Sequence, residues 1–133
     1  MITGVVGASL WSEDGAKLAR FYREVLGLPE LHLVVEAGEG GQGYYNFGDQ
    51  DGPWFGIGTH SNIEGRASDP HRHLVALRTT DVHADVQGLK AKGVEVIEEP
   101  QDQGGGFWIA TLKDPEGNLV QLYEGPVHNP WSA

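Results

Sequence analysis

The feature that most constrains this chain is an order of elements that occurs twice: strand, helix, then three strands, once in each half. Val5 to Trp11 is apolar and extended, and it leads into a helix from Asp14 to Leu26 with Leu18, Tyr22, Val25 and Leu26 at helical spacing. Gly27 stands where a left-handed C′ residue ends a helix. Leu31 to Ala37, Tyr44 to Gly48 and Trp54 to His60 then read as strands separated by glycine-rich turns. In the second half Leu74 to Thr79 is a strand, and Asp81 is a good N-cap for a helix that repeats Val82, Val86 and Leu89 on one face and stops at Gly93. Val94 to Glu98, Phe107 to Lys113 and Leu119 to Glu124 complete the set. Asp114-Pro115-Glu116-Gly117 carries Pro at i+1 and Gly at i+3, as a type I connection between antiparallel strands requires.

The predicted architecture is therefore α+β: two βαβββ modules whose mixed sheets curve around a cup, with one helix covering each sheet. The sheet face without a helix has to line that cup or pack on a partner. A chain of 133 residues accommodates one domain of this kind, with module one over about 1–62, module two over about 71–126 and a C-terminal tail at 127–133.

Composition narrows the chemistry. There is no cysteine, so disulfides, thiolate metal sites and cysteine nucleophiles are excluded. A formal net charge of -10, with nine Lys and Arg spread along the chain, argues against nucleic acid as a partner and suits a neutral or cationic small molecule. No stretch combines a basic start, an apolar run and a small-residue cleavage site, and no apolar run reaches membrane-spanning length; the expectation is a soluble, cytoplasmic protein without a membrane partner. No G-x-G-x-x-G follows a strand, no P-loop occurs and no serine sits in a nucleophile elbow; Gly104-Gly105-Gly106 leads into a strand and reads as a turn or flap.

Three segments carry a family resemblance. Trp11-Ser12-Glu13-Asp14 running through Phe21-Tyr22-Arg23-Glu24-Val25-Leu26-Gly27-Leu28, then Thr80-Asp81-Val82 with Gly93-Val94, then Asp114-Pro115-Glu116-Gly117-Asn118 resemble, in order and spacing, the signatures of the vicinal-oxygen-chelate superfamily of glyoxalases, bleomycin-resistance proteins and extradiol dioxygenases. The resemblance implies four metal-ligand positions, on the first, fourth, fifth and eighth strands. By spacing they fall here on Gly7, about Gly56, Leu74 and Gln121, of which only Gln121 offers a donor. A divalent cation needs three or four donors, so the resemblance is to the metal-free binding members, with no cofactor expected. The family also commonly pairs chains, which implies a homodimer.

Period-two alternation extends these positions into faces. The cup face takes Ser9, Trp11, Trp54, Gly58, His60, Ala76, Arg78, Leu119, Gln121 and Tyr123; the opposite face takes Val6, Ala8, Leu10, Phe55, Ile57, Val75, Leu77, Val120 and Leu122. Small residues among the former suggest unfilled volume, walled by Trp11, Trp54 and Tyr123. The predicted ligand-binding set is Ser9, Trp11, Trp54, His60, Arg78, Gln121 and Tyr123, for a planar or bulky organic molecule that could be a toxic or antibiotic compound. Alternatively the tryptophans seal a dimer interface. Arg78 can clamp a carboxylate or pair with an acidic neighbour, and His60 is either a half-exposed strand-end residue or an acid/base group, so these two are the candidates if the chain is an isomerase without metal. His71-Arg72-His73 supplies a competing reading: a one-residue bulge before Leu74 would bring His73 into the ligand position, and a metal enzyme of the lyase or dioxygenase type would then use His60, His73 and Gln121.

Overall fold

A computed structural model of the protein describes residues 1, 3, 7–31, 44–48 and 53–125. Val5 and Val6, the continuation of the predicted strand from 32 to 37, and the tail at 127–133 lie outside them. Two compact units divide the chain, Met1–Gly65 and Arg66–Ala133.

In the first unit β1 (Gly7–Ser12) is followed by a helix that starts as α1 (Gly15–Arg20) and continues over Phe21–Val25 with wider i→i+5 turns. Asp14 caps α1 by accepting from the Lys17 N–H at 3.2 Å. The predicted single helix from Asp14 to Leu26 thus runs without a break but widens over its second half. Leu26 N–H donates to Phe21 O at 3.0 Å and Leu28 N–H to Tyr22 O at 2.9 Å, and Gly27 closes the helix at φ 72°, a left-handed value that favours glycine. Then come β2 (Glu30–Leu31), β3 (Tyr44–Gly48) and β4 (Trp54–Thr59), in a sheet of order β1-β4-β3-β2. The β1–β4 pair is parallel and the other pairs antiparallel. Leu18 and Tyr22 from the helix bury against Phe47, Phe55 and Ile57, and the Tyr22 and Phe55 rings stand 5.1 Å apart. Burying side chains of this size stabilises the fold by roughly 1.5–3 kcal/mol each.

The second unit repeats the order: β5 (Leu74–Thr79), α2 (Val82–Ala91), β6 (Val96–Asp102), β7 (Trp108–Lys113) and β8 (Leu119–Glu124), in a sheet of order β5-β8-β7-β6. Asp81 caps α2 through the Ala84 N–H at 3.0 Å, and Val82, Val86 and Leu89 form its buried face. The strand expected at Val94 to Glu98 begins later and runs through Pro100, because β6 is the sheet edge and its pairing with β7 breaks register on either side of Glu98. An edge strand with such irregularities tolerates a residue without an N–H. The turn at Asp114 forms as expected, with Gly117 N–H donating to Asp114 O at 3.0 Å. The buried Asp114 carboxylate accepts from the N–H groups of Glu116 and Asn118 and from Asn118 Nδ2, at 2.8–2.9 Å.

Candidate functional site

The ladder pairings determine which side chains share a face. In the first unit Gly7 opposes Trp54, Ser9 opposes Gly56 and Trp11 opposes Gly58. Across the β3–β4 pair Tyr44 opposes Gly58 and Asn46 opposes Gly56. Directly opposed residues point the same way, so Ser9, Trp11, Tyr44, Asn46 and Trp54 lie on the face away from the helix, as alternation predicts for those on β1 and β4.

The glycines on this face are not open space. A Cβ on Gly7 would meet the Trp54 ring at 2.5 Å, one on Gly56 would overlap the Tyr44 hydroxyl oxygen, and one on Gly58 would meet the rings of Trp11 at 2.7 Å and Tyr44 at 2.8 Å. The expectation of unfilled volume is corrected here: three rings fill the hollows over the glycines and make an aromatic platform, with Tyr44 tilted 41° to Trp11 and edge-on to Trp54 at 85°. Trp11 and Tyr44 have centroids 5.7 Å apart, and Tyr44 and Trp54 6.2 Å. These separations are those of packed aromatic pairs. Trp11 nonetheless keeps 47% of its surface exposed.

Tyr44 was not among the residues expected at the site. Alternation along β4 marks the glycines but cannot say which neighbouring strand lays a ring over them. Its hydroxyl hydrogen-bonds Ser9 Oγ. At the end of the platform the His60 ring stands edge-on to Trp11 at 5.6 Å. His60 Nδ1 accepts the Asn62 N–H at 3.1 Å, so the ring is held with its Nε2–H left to donate.

In the second unit β5 and β8 pair without a break from Leu74↔Leu119 to Thr79↔Glu124, which places Leu74, Ala76, Arg78, Leu119, Gln121 and Tyr123 on one face. Gln121 is held from both ends, Nε2 donating to Thr111 Oγ1 at 3.2 Å and Oε1 accepting from the Tyr123 hydroxyl at 3.0 Å. Phe107 packs edge-on against Tyr123, ring centroids 5.3 Å apart. Arg78 is exposed and makes no ion pair among the described residues, so the acidic neighbour weighed for it is absent there. His73 precedes the ladder with extended backbone, φ -136° and ψ 148°. No bulge shifts it into the place of Leu74, and alternation aims its side chain to the opposite face.

Superfamily members often use a metal, and the register allows the fit to be tested within each unit. Gly7 pairs with Trp54, two residues before Gly56; Leu74 pairs with Leu119, two before Gln121. The two halves therefore repeat the same offset. In the first unit both positions are glycine, one beneath the Trp54 ring and the other beneath the Tyr44 hydroxyl. In the second a leucine, 48% exposed, stands beside a glutamine whose carbonyl already accepts a hydrogen bond. These residues do not fit a divalent metal.

Among the described residues one group of metal-capable side chains comes together elsewhere: Asp81, His83 and Glu124, with donor atoms within 4.8 Å of one another. Glu124 follows Tyr123 on β8 and so points to the α2 side of the sheet. Its Oε1 accepts the Val82 N–H at 2.8 Å, while Asp81 caps Ala84 and the His83 ring stands 4.7 Å from Trp108. Capping the first turn of α2 accounts for both carboxylates. No helix among the described residues is long and apolar enough to cross a membrane.

Comparison with known proteins agrees with this architecture. A member of the glyoxalase/bleomycin resistance protein/dioxygenase superfamily from Sphaerobacter thermophilus superposes with a TM-score of 0.69 at 18% identity, over 93% of this chain and 98% of that one. The fosfomycin resistance protein FosX from Listeria monocytogenes superposes with a TM-score of 0.63 at 20% identity, over 97% and 96%. At such identities the likeness is one of fold. In sequence, a lactoylglutathione lyase of Arabidopsis thaliana is 41% identical over 58 residues, which span 42% of this chain and only 20% of that protein. The family model for the glyoxalases, bleomycin resistance proteins and dioxygenases matches residues 4–122. The chain belongs to the Glyoxalase/Bleomycin resistance protein/Dioxygenase superfamily.

Proposed function

We propose that this protein is a metal-independent small-molecule binder that holds a planar organic compound against the Trp11–Tyr44–Trp54 platform, sequestering a toxic or antibiotic molecule. The observation that carries this reading is the platform itself. Aromatic rings occupy the face where the family resemblance would place metal ligands, and Trp11 keeps nearly half its surface open. An exposed indole ring with polar groups around it favours stacking of a ring system. The net charge of -10 disfavours anionic ligands at long range. Ser9 and His60 are the polar groups of the first unit proposed to orient the guest. A homodimer and a cytoplasmic setting belong to the same proposal.

The test is a screen of planar aromatic compounds by tryptophan fluorescence, in chelator and again with zinc, nickel, manganese or iron added. Binding that is equal in both conditions supports the proposal. Turnover of a candidate substrate that depends on added metal would refute it.

A second reading is favoured by the sequence match to a lactoylglutathione lyase. On that reading the chain is a glyoxalase- or dioxygenase-like enzyme, or an isomerase without metal using His60 or Arg78. Unchanged metal content and activity in His60→Ala and Arg78→Ala would count against it.

A further inference from the structure

We infer that the Ser9–Tyr44 hydroxyl pair is the polar anchor of the platform, and that it selects planar compounds carrying an oxygen acceptor, such as a ring carbonyl. This rests on the binding role proposed above and names the chemistry of its ligand.

Two hydroxyls carry two protons, and the bond between Ser9 Oγ and Tyr44 Oη uses one. Neither hydroxyl has another partner among the described residues, so whichever oxygen donates to the other, one O–H is left over. Both residues are half-buried and neither is sealed from solvent.

Geometry adds rigidity. The Tyr44 ring is seated in the hollows of Gly56 and Gly58, where any Cβ would collide with it, and it is flanked by Trp11 and Trp54. Its hydroxyl therefore stands fixed at the centre of the ring platform without the ordering cost a surface tyrosine would incur on binding. A second donor is available at the edge, because His60 Nδ1 is occupied as an acceptor and the neutral ring carries its proton on Nε2.

Charge points the same way. Ser9, Trp11, Tyr44, Asn46 and Trp54 include no ionisable carboxylate or ammonium, and the cations of this unit lie on the helical segment, where Arg23 pairs with Glu30 at 3.1 Å. Donors without a formal charge, set among rings, match the lone pairs of a neutral carbonyl oxygen at the edge of a flat molecule. An apolar ring system of the same outline gains the stacking and leaves the O–H unused.

The experiment uses two flat probes of similar size, coumarin with its ring carbonyl and naphthalene without one, titrated into the full-length protein in chelator and followed by the indole N–H resonances of the tryptophans. Wild type is expected to bind coumarin more tightly than naphthalene. The double variant Ser9→Ala/Tyr44→Phe, which removes both hydroxyls and keeps the ring over the glycines, should weaken coumarin by about threefold to tenfold, the worth of one hydrogen bond, and leave naphthalene unchanged. The wild-type dispersion of amide resonances in the variant establishes that the fold is intact. Equal binding of the two probes to wild type, or equal weakening of both by the double variant, would overturn the anchor while leaving the platform standing. Failure of both probes to shift any tryptophan resonance would overturn the anchor and the platform reading together.

Discussion

Gly56 and Gly88 both sit inside regular elements, yet replacing them with alanine should move stability in opposite directions. A Cβ on Gly56 would overlap the Tyr44 hydroxyl oxygen and lie 2.7 Å from the neighbouring ring carbon Cε1. Gly56→Ala must therefore push the ring off β4, and we expect a loss of about 1–3 kcal/mol in chemical denaturation, typical of overpacking. Gly88 lies within α2, and a methyl group added there would have nothing within 4 Å, so Gly88→Ala should gain about 0.5–1 kcal/mol in the same assay. Sequence alone gives both residues the same letter. Reading the cup glycines as empty volume followed from their size; what fills them comes from the next strand, through a pairing of Tyr44 with Gly58 that no alternation within β4 reveals. Ser9, Trp11 and Trp54 were legible because they lie on the same strands as the positions that the family resemblance marks.

At the scale of elements, most boundaries were legible where a side chain itself ends the element. Asp14 and Asp81 cap their helices as read, and β3, β5 and β8 match their expected spans because glycine, proline or acidic turns bracket them. Two details lie outside local pattern. The first helix passes into i→i+5 turns at Phe21, although its apolar spacing suits an uninterrupted helix. β6 runs through Pro100 because it is an edge, a fact of topology that a local sequence window does not contain. The caps themselves can be weighed. Asp81→Ala removes the acceptor of the Ala84 N–H and should cost about 1 kcal/mol, read as a lower denaturation midpoint. Asp114→Ala should cost more, about 2–3 kcal/mol, because a carboxylate only 3% exposed is the shared acceptor of three N–H donors that would lose their charged partner.

For the whole molecule, two units repeat one plan while diverging in what they carry on the corresponding face. The first presents rings and hydroxyls; the second presents Arg78 opposite Tyr123, and a glutamine fixed by Thr111 and Tyr123. Neither supplies a set of donors for a divalent ion at the superfamily positions, and the repeated two-residue offset between Gly7 and Gly56 and between Leu74 and Gln121 makes a register error in one unit alone an inadequate explanation. The fold was legible in the sequence because the repeat of elements and the turn at Asp114 are local signals. The site was legible only in part, since a metal's ligands announce themselves by residue type whereas a stacking surface is assembled by pairing. The most direct test of metal-independent binding is a two-dimensional NMR titration of the full chain with a planar aromatic ligand in chelator, repeated after zinc is added. A platform that binds without metal predicts that the indole N–H resonances of Trp11 and Trp54 shift to the same extent in both; shifts that appear only with stoichiometric metal bound would contradict it.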